Sequence, residues 1–287
     1  MNRASDVDLL ARLTVRVREE TGFDLTGYRT DGLARRARQR AALVGAQGLQ
    51  EYLPSVDARE ARALLEHVLI QVSGWFRDAH VWTSLRETVL PGIARRRGGP
   101  VDLRVWVAGC GEGQEVWSLA ACLDEAGRAG HLTSWGLLAT DVDAGVLATL
   151  ERGLYPVVEV AAPGEELLLG HLGRVGDAWE VGPSLSAHVR TAVHDVRAAP
   201  PPGLGGPADL VLCRNVIMYL DAGAQVGVLD GLVASMRPGG VLVLGYAEIP
   251  LEHRDVLVPV DPASRAYRVI GKPLPSSAPA SGSSAPR

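Results

Sequence analysis

The chain has 287 residues, 47% of them apolar, enough to bury a sizeable core as one large domain or two small ones. A net charge of −4 excludes a nucleic-acid coat, which would be strongly basic. MNRASDVDLL carries no signal-peptide hydrophobic region, no run approaches the roughly 18 apolar residues of a membrane span, and Cys110, Cys122 and Cys213 match no CxxC metal or redox pair and no disulfide framework. A soluble, cytoplasmic protein without a metal is expected. Lys272 is the only lysine among 29 basic residues, which reads first as codon bias. It also makes nearly every basic site a permanent guanidinium cation.

The first hundred residues read as helical. DVDLLARLTVRVREETG places Leu9, Leu10, Leu13 and Val17 at helical spacing and stops at Gly22. DGLARRARQRAALVG is a second helix and LQEYL a short third. Asp57 and Glu60 make a capping-box start for DAREARALLEHVL, and HVWTSLRETVL is a further helix that Pro91 and Gly92 should end. After the charged, glycine-rich RRRGGP the pattern changes to alternation of strand and helix. VDLRVWVAGC, WGLLATDVD, ADLVLCRN and VLVLGYAE read as strands. QEVWSLAACLDEAG, AGVLATLERG and GAQVGVLDGLVASM read as the helices between them, with RPGG as a turn. DVLVPV and RAYRVI, separated by Asp261-Pro262, can close the sheet antiparallel. The expectation is a helical domain over 1–72, a linker helix over 73–100 and a doubly wound α/β domain over 101–272. A disordered Pro/Ser-rich tail is expected over 273–287.

Four segments carry possible chemistry. In WVAGCGEGQE, Gly109, Gly111 and Gly113 lie two apart, unlike the dinucleotide spacing, and Glu112 and Glu115 stand where a pyrophosphate would need positive potential. The loop therefore suits a cationic ligand, or is simply a tight turn. Asp141 ends the second strand, where an acid can accept both hydroxyls of a ribose; it can also cap the next helix, a role for which Asp143 is better placed. Arg214 and Asn215 interrupt an apolar run at the end of a central strand, and Tyr219 follows as either a stacking surface or a half-buried core aromatic. Ser73 and Arg77 sit beside Trp75 and Phe76 at the junction of the two expected domains, a favoured place for ligands or an amphipathic linker.

Together and in this order, these segments resemble the CheR family of chemotaxis receptor methyltransferases. LVLCRNVIMYLD, RPGGVLVLGYAE, ATD, the Glu51-Tyr52-Leu53 triplet and Trp75-Phe76-Arg77 carry the resemblance, which spans roughly residues 25–250. It implies a Rossmann-like fold dependent on S-adenosylmethionine (SAM), a small N-terminal all-helical domain, and a small β-subdomain inserted over 153–194. The implied reaction is methyl transfer from SAM to glutamate side chains of chemoreceptors. Matched motif by motif, the implied cofactor contacts are Gln71, Ser73, Arg77, Gly109, Glu115, Asp141, Asp195, Val196, Cys213 and Arg214. Asp141 would take the ribose, and Asp195-Val196 the adenine. Arg77 and Tyr219 are the implied catalytic pair. The family's Asn-x-Thr-x-Phe-Phe-Arg stands here as Gln71 to Arg77, its Asn-Leu as Asp195-Val196, and its Gly-His-Ser-Glu as Gly245-Tyr246-Ala247-Glu248.

Residues 12–40 hold eight arginines against four acids, a local +4 in an acidic chain. Arg29, Arg35, Arg36, Arg38 and Arg40 then form either a solvated face or, given the resemblance, a docking surface for the Glu-rich cytoplasmic helices of receptors. The protein is expected to act as a monomer, with neither nucleic acid nor membrane insertion. Methylation of another protein or a small molecule, and a non-catalytic SAM-binding adaptor, remain the rival readings.

Overall fold

The computed structural model describes residues 3–69, 73–157, 165–198 and 200–271; Gln71 and the 273–287 tail fall outside them. The first layer is helical: α1 (Arg3–Thr21), α2 (Thr30–Leu43), the single turn α3 (Leu49–Tyr52) and α4 (Ala58–Val68). Leu13 and Val17 of α1 meet Ala37 and Ala41 of α2 and Ala61 and Leu64 of α4 in one buried core. The alanines let the helices approach closely. Asp57 caps α4 by accepting the Glu60 N–H at 2.8 Å, as its spacing predicts. The reciprocal half of the capping box is not made. Glu60 instead receives a bidentate pair from Arg40 at 2.7 Å and the Tyr52 hydroxyl at 2.6 Å. A charge-assisted fork in a half-buried place is stronger than one exposed backbone bond.

The next helical segment runs through α5 (Ala79–Ser84), a π turn (Leu85–Val89) and α6 (Leu90–Arg96), so the expected stop at Pro91 does not occur. Pro91 sits in the first turn of α6, where its missing N–H costs little, and the π turn before it resets the hydrogen-bond register.

The α/β part follows in the order β1 (Val101–Ala108), α7 (Gln114–Arg128), β2 (Leu132–Asp141), α8 (Ala144–Arg152), β3 (Leu154–Pro156), α9 (Glu165–Leu169), β4 (Leu172–Val175), β5 (Ala178–Val181), α10 (Pro183–Ser186), β6 (Val189–Val193), β7 (Ala208–Cys213), α11 (Ala222–Ala234), β8 (Met236–Leu244), β9 (Leu257–Asp261) and β10 (Ala266–Val269). Seven strands form one sheet in the order β6-β2-β1-β7-β8-β10-β9. The first five are parallel and β10 is antiparallel to both its neighbours, so Asp261-Pro262 does turn the chain back. Alternation along each strand sorts the two faces. Val105, Val107, Leu137, Ala139 and Leu212 pack under α5 to α7; Trp106, Leu138, Val211 and Cys213 pack against Val228 and Leu232 of α11.

Two segments differ from the sequence reading. RPGG is not a free turn: it lies inside β8, where the register against β7 shifts and Gly239 takes φ +84°. A bulge absorbs the proline and glycines that would otherwise break the strand. Within 153–194, only β3, β4 and β5 form the separate three-stranded sheet, because β6 pairs in parallel with β2 at the edge of the main sheet. The strand character of WEVGPSLSAHVRTAV is real, but it is divided between two sheets.

Candidate functional site

Parallel strands β1, β2, β6 and β7 all point the same way, and the turns leaving their C-terminal ends line one cavity. After β1 the chain turns through Gly109 at φ +71°; a Cβ there would fall 2.4 Å from Val216 Cγ2. Gly113 opens α7 at φ +97°, with a would-be Cβ 2.6 Å from Leu150 Cγ. The Val216 and Leu150 side chains pack directly against the backbone here, and with φ positive at both positions only glycine fits without strain. The turn is braced by Tyr155 of the small sheet, whose hydroxyl donates to the Glu112 carbonyl at 2.6 Å and receives Trp117 Nε1–H at 2.8 Å.

Asp141 ends β2 and accepts Gly111 N–H at 2.9 Å and Asp143 N–H at 3.1 Å. Asp143 caps α8 through Gly145 N–H, which leaves Asp141 to face the cavity. Burial pushes the Asp141 carboxyl above its usual range, against the pull of those N–H donors.

Arg214 leaves β7 almost wholly buried, its side chain 1% exposed. It meets Asp78 Oδ2 at 2.6 Å and Glu115 Oε2 at 2.8 Å. Burial raises the Glu115 carboxyl, with Arg214 and Arg77 opposing the shift. Glu115 is therefore not a lone acid awaiting a cation; it is one arm of an ion triad centred on the buried Arg214. That triad holds the turn carrying Arg77. Phe76 and Asp78 on either side take φ +45° and +59°, a left-handed geometry that is strained for phenylalanine and more readily adopted by aspartate. Phe76 N–H is held by Ser118 Oγ at 3.0 Å, and the Arg77 carbonyl by Trp82 Nε1–H at 2.8 Å. The Phe76 ring packs edge-on to Trp82 at 5.6 Å.

The helical layer closes the remaining side. Tyr28 forms a bridge with Leu220, Arg29 N–H donates to the Tyr219 carbonyl at 2.9 Å, and Asp221 N–H to the Gly27 carbonyl at 2.7 Å. Tyr28, Val68, Leu69 and Ser73 thus line the same cavity as the strand ends.

Of the sequence-predicted residues, Ser73, Arg77, Gly109, Glu115, Asp141, Asp195, Val196, Arg214 and Tyr219 all line this cavity. Cys213 does not. It is a fully buried residue of β7 in the core facing α11, its thiol pushed well up by burial, so it supports the site from behind. Tyr28, His194 and Arg197 also line the cavity and carried no sequence signal, since each is a single residue with no spacing pattern. Among the basic candidates, Arg40 is committed to Glu60, Arg36 donates to the His67 carbonyl at 2.8 Å and Arg38 pairs with Asp6 at 2.8 Å. Arg35 is exposed, and Arg29 is exposed beside Asp31.

Residues 71–262 match the family described as CheR methyltransferase, SAM binding domain. The chain belongs to this family. A chemotaxis protein methyltransferase 1 of Pseudomonas aeruginosa is 32% identical over 61% of this chain and 64% of its own length. A chemotaxis protein methyltransferase of Listeria innocua is 27% identical over 83% of this chain and 89% of its own. An uncharacterised 104.1 kDa protein of Rhodobacter capsulatus is 29% identical over 79% of this chain, which spans only 24% of that larger protein.

The cavity of this CheR-family member fits SAM. Ser73 Oγ, Arg214 Nε and His194 Nε2 are buried polar atoms without a hydrogen-bond partner among the described residues, and all three belong to cavity-lining residues. A ligand with both donors and acceptors satisfies such a set; an apolar one leaves it unpaired. No cluster of His, Cys, Asp and Glu suited to a metal ion occurs among the described residues. No helix among them is long and apolar enough to cross a membrane.

Proposed function

We propose that the chain transfers a methyl group from SAM to glutamate side chains of chemoreceptor-type proteins, forming methyl esters, and acts as a cytoplasmic monomer on their cytoplasmic helices. One observation carries this reading: the family-matched Ser73, Arg77, Glu115, Asp141, Asp195 and Arg214, scattered over 142 residues of sequence, converge on one cavity at the strand ends.

SAM supplies an electrophilic methyl group on a sulfonium leaving group. The chain's own residues bind, orient and keep out water. Asp141, acceptor-only when ionised, holds the ribose hydroxyls. Asp195 and Val196 take the adenine. Ser73 and the Arg214–Glu115 pair face the amino-acid end. A glutamate acceptor is already a carboxylate at neutral pH, so no strong general base is needed. Arg77 orients that carboxylate and Tyr219 walls the reacting centre, leaving catalysis to positioning and desolvation. Arg29, whose backbone N–H is bonded to the Tyr219 carbonyl, stands beside this wall. With the exposed Arg35 it supplies the cationic approach for an acidic helix.

The test is transfer of labelled methyl from SAM to purified receptor cytoplasmic fragments, with the product checked for base lability. Arg77→Ala is expected to lower turnover on the order of a hundredfold while SAM affinity falls less. Label that resists base, or label on another acceptor only, overturns the glutamate assignment. SAM binding with no transfer to any acceptor makes the protein an adaptor.

A further inference from the structure

Arg197 follows β6 and uses its whole guanidinium. Nε donates to Asp195 Oδ1 at 3.0 Å and Oδ2 at 3.1 Å, and Nη2 to Asp195 Oδ2 at 2.6 Å. Nη2 also reaches the Asp24 carbonyl at 2.6 Å, and Nη1 reaches the Thr26 carbonyl. The cation lies 5.4 Å from the Phe23 ring centroid and 5.1 Å from that of Tyr28. One side chain thus ties the 23–28 segment of the helical layer to the end of the sheet, and Tyr28, Asp195 and Arg197 all line the cavity.

We propose that Arg197 is a positioning residue for the base end of the cavity, fixing Asp195 and Tyr28 as the two walls between which a purine bearing an exocyclic amine is held. The inference rests on the reading that SAM occupies this cavity. Strand pairing gives the direction. Asp141 pairs with Val193 across β2 and β6, and His194 N–H donates to the Asp141 carbonyl at 2.9 Å. Asp195 therefore lies one strand over from the ribose acceptor, where a base attached to that ribose extends. Arg197 holds the Asp195 carboxyl below its usual range despite burial, so it remains an acceptor-only carboxylate. Tyr28 is held protonated, its hydroxyl pushed up to about 12 by burial. A carboxylate attracts an amine and repels the carbonyl of a 6-oxopurine, so the same geometry that binds also discriminates. A lysine keeps the charge but has no planar fork to span a carboxylate, two carbonyls and two rings at once.

The experiment is calorimetric titration of the full chain with S-adenosylhomocysteine and with S-inosylhomocysteine, which differs at the exocyclic position. Wild type should prefer the adenosine compound by about tenfold or more. Arg197→Lys and Arg197→Ala should each weaken its binding by about tenfold and bring the preference towards one. In turnover assays the KM for SAM should rise by more than kcat falls, because the affected contacts lie at the base end rather than the reacting end. Thermal unfolding of each variant is followed in parallel; if Arg197→Ala does not fold, Arg197→Lys decides. Unchanged binding in either folded variant overturns the proposal. So does weaker binding with the base preference intact, which makes Arg197 a plain structural tie. If wild type binds neither compound, the SAM reading falls and this inference with it.

Discussion

Asp141 shows what burial does to a carboxylate at the end of a strand. Burial raises its carboxyl above the ordinary value of 3.8, so the folded protein holds the proton longer than the unfolded chain does. Its contribution is therefore most favourable below that ordinary value and declines as pH rises through the folded value. Asp141→Asn removes this dependence. We expect the unfolding temperature of the variant, relative to wild type, to move in the variant's favour from pH 4 to pH 7. Binding of S-adenosylhomocysteine should weaken by about tenfold or more, since one acceptor oxygen becomes a donor. Undiminished binding would remove Asp141 from the ribose role, and a flat difference across that pH range would mean that burial does not raise its carboxyl. At this scale the sequence was readable wherever a residue stood at a recognisable offset from a glycine loop or strand end: Gly109, Asp141, Arg214. It was silent on Tyr28 and Arg197, whose partners lie far along the chain. It also placed Cys213 in the site. In fact alternation along β7 turns that side chain into the core.

Among the elements, α2 carries both a paired and an exposed arginine, Arg40 and Arg35. Arg40 faces inward, and with Glu60 and Tyr52 it fastens α2 to α4 and the α3 turn. The Glu60 carboxyl is held down chiefly by the Arg40 hydrogen bonds, so this contribution is present above the ordinary Glu value of 4.5 and is lost as pH falls through the folded value. Arg40→Ala should destabilise the protein by about 2 kcal/mol at neutral pH, read by denaturant unfolding. Arg35→Ala should leave stability unchanged and weaken capture of a Glu-rich receptor fragment, with the difference fading at high salt. Equal stability loss in both variants would erase the division. Helical spacing sets Arg36 and Arg40 on one face of α2 and Arg35 and Arg38 on another. Periodicity does not say which face meets the protein. The same limit explains α6, where Pro91 reads as a terminator unless the π turn before it is known.

On the scale of the whole molecule, the cavity belongs to both layers. The bonds joining Gly27, Tyr28 and Arg29 to the 219–221 turn, and the Arg197 tie, make the helical layer a wall of the site rather than an appendage. A ligand that binds only the folded state stabilises whatever it touches, by about 2.7 kcal/mol at a hundred times its dissociation constant. S-adenosylhomocysteine is therefore expected to slow amide hydrogen exchange at residues 25–29 and 219–221 as well as at 109–113 and 141–143. Protection confined to the glycine loop and the β2 end would mean that the helical layer does not contribute to binding.

The sequence by itself determined the alternation of strands and helices after residue 100, the helical start, the caps at Asp57 and Asp143, and the acid and glycines at the strand ends. All of these are short-range matters of period, capping and backbone freedom. Tertiary structure alone decided that β6 joins the main sheet, that RPGG is a bulge inside a strand, and that Glu115 and Arg214 neutralise each other. It also decided that residues 23–28 close the cavity. The reason is physical: burial, pairing across sheets and the joining of charges depend on which distant segments meet, and no local spacing encodes that. Met by itself, the acidic balance of the chain excluded one partner class. Folded, many of its charges pair at close range, Arg40 with Glu60 and Arg38 with Asp6 in the helical layer and Arg214 with Glu115 and Asp78 at the cavity.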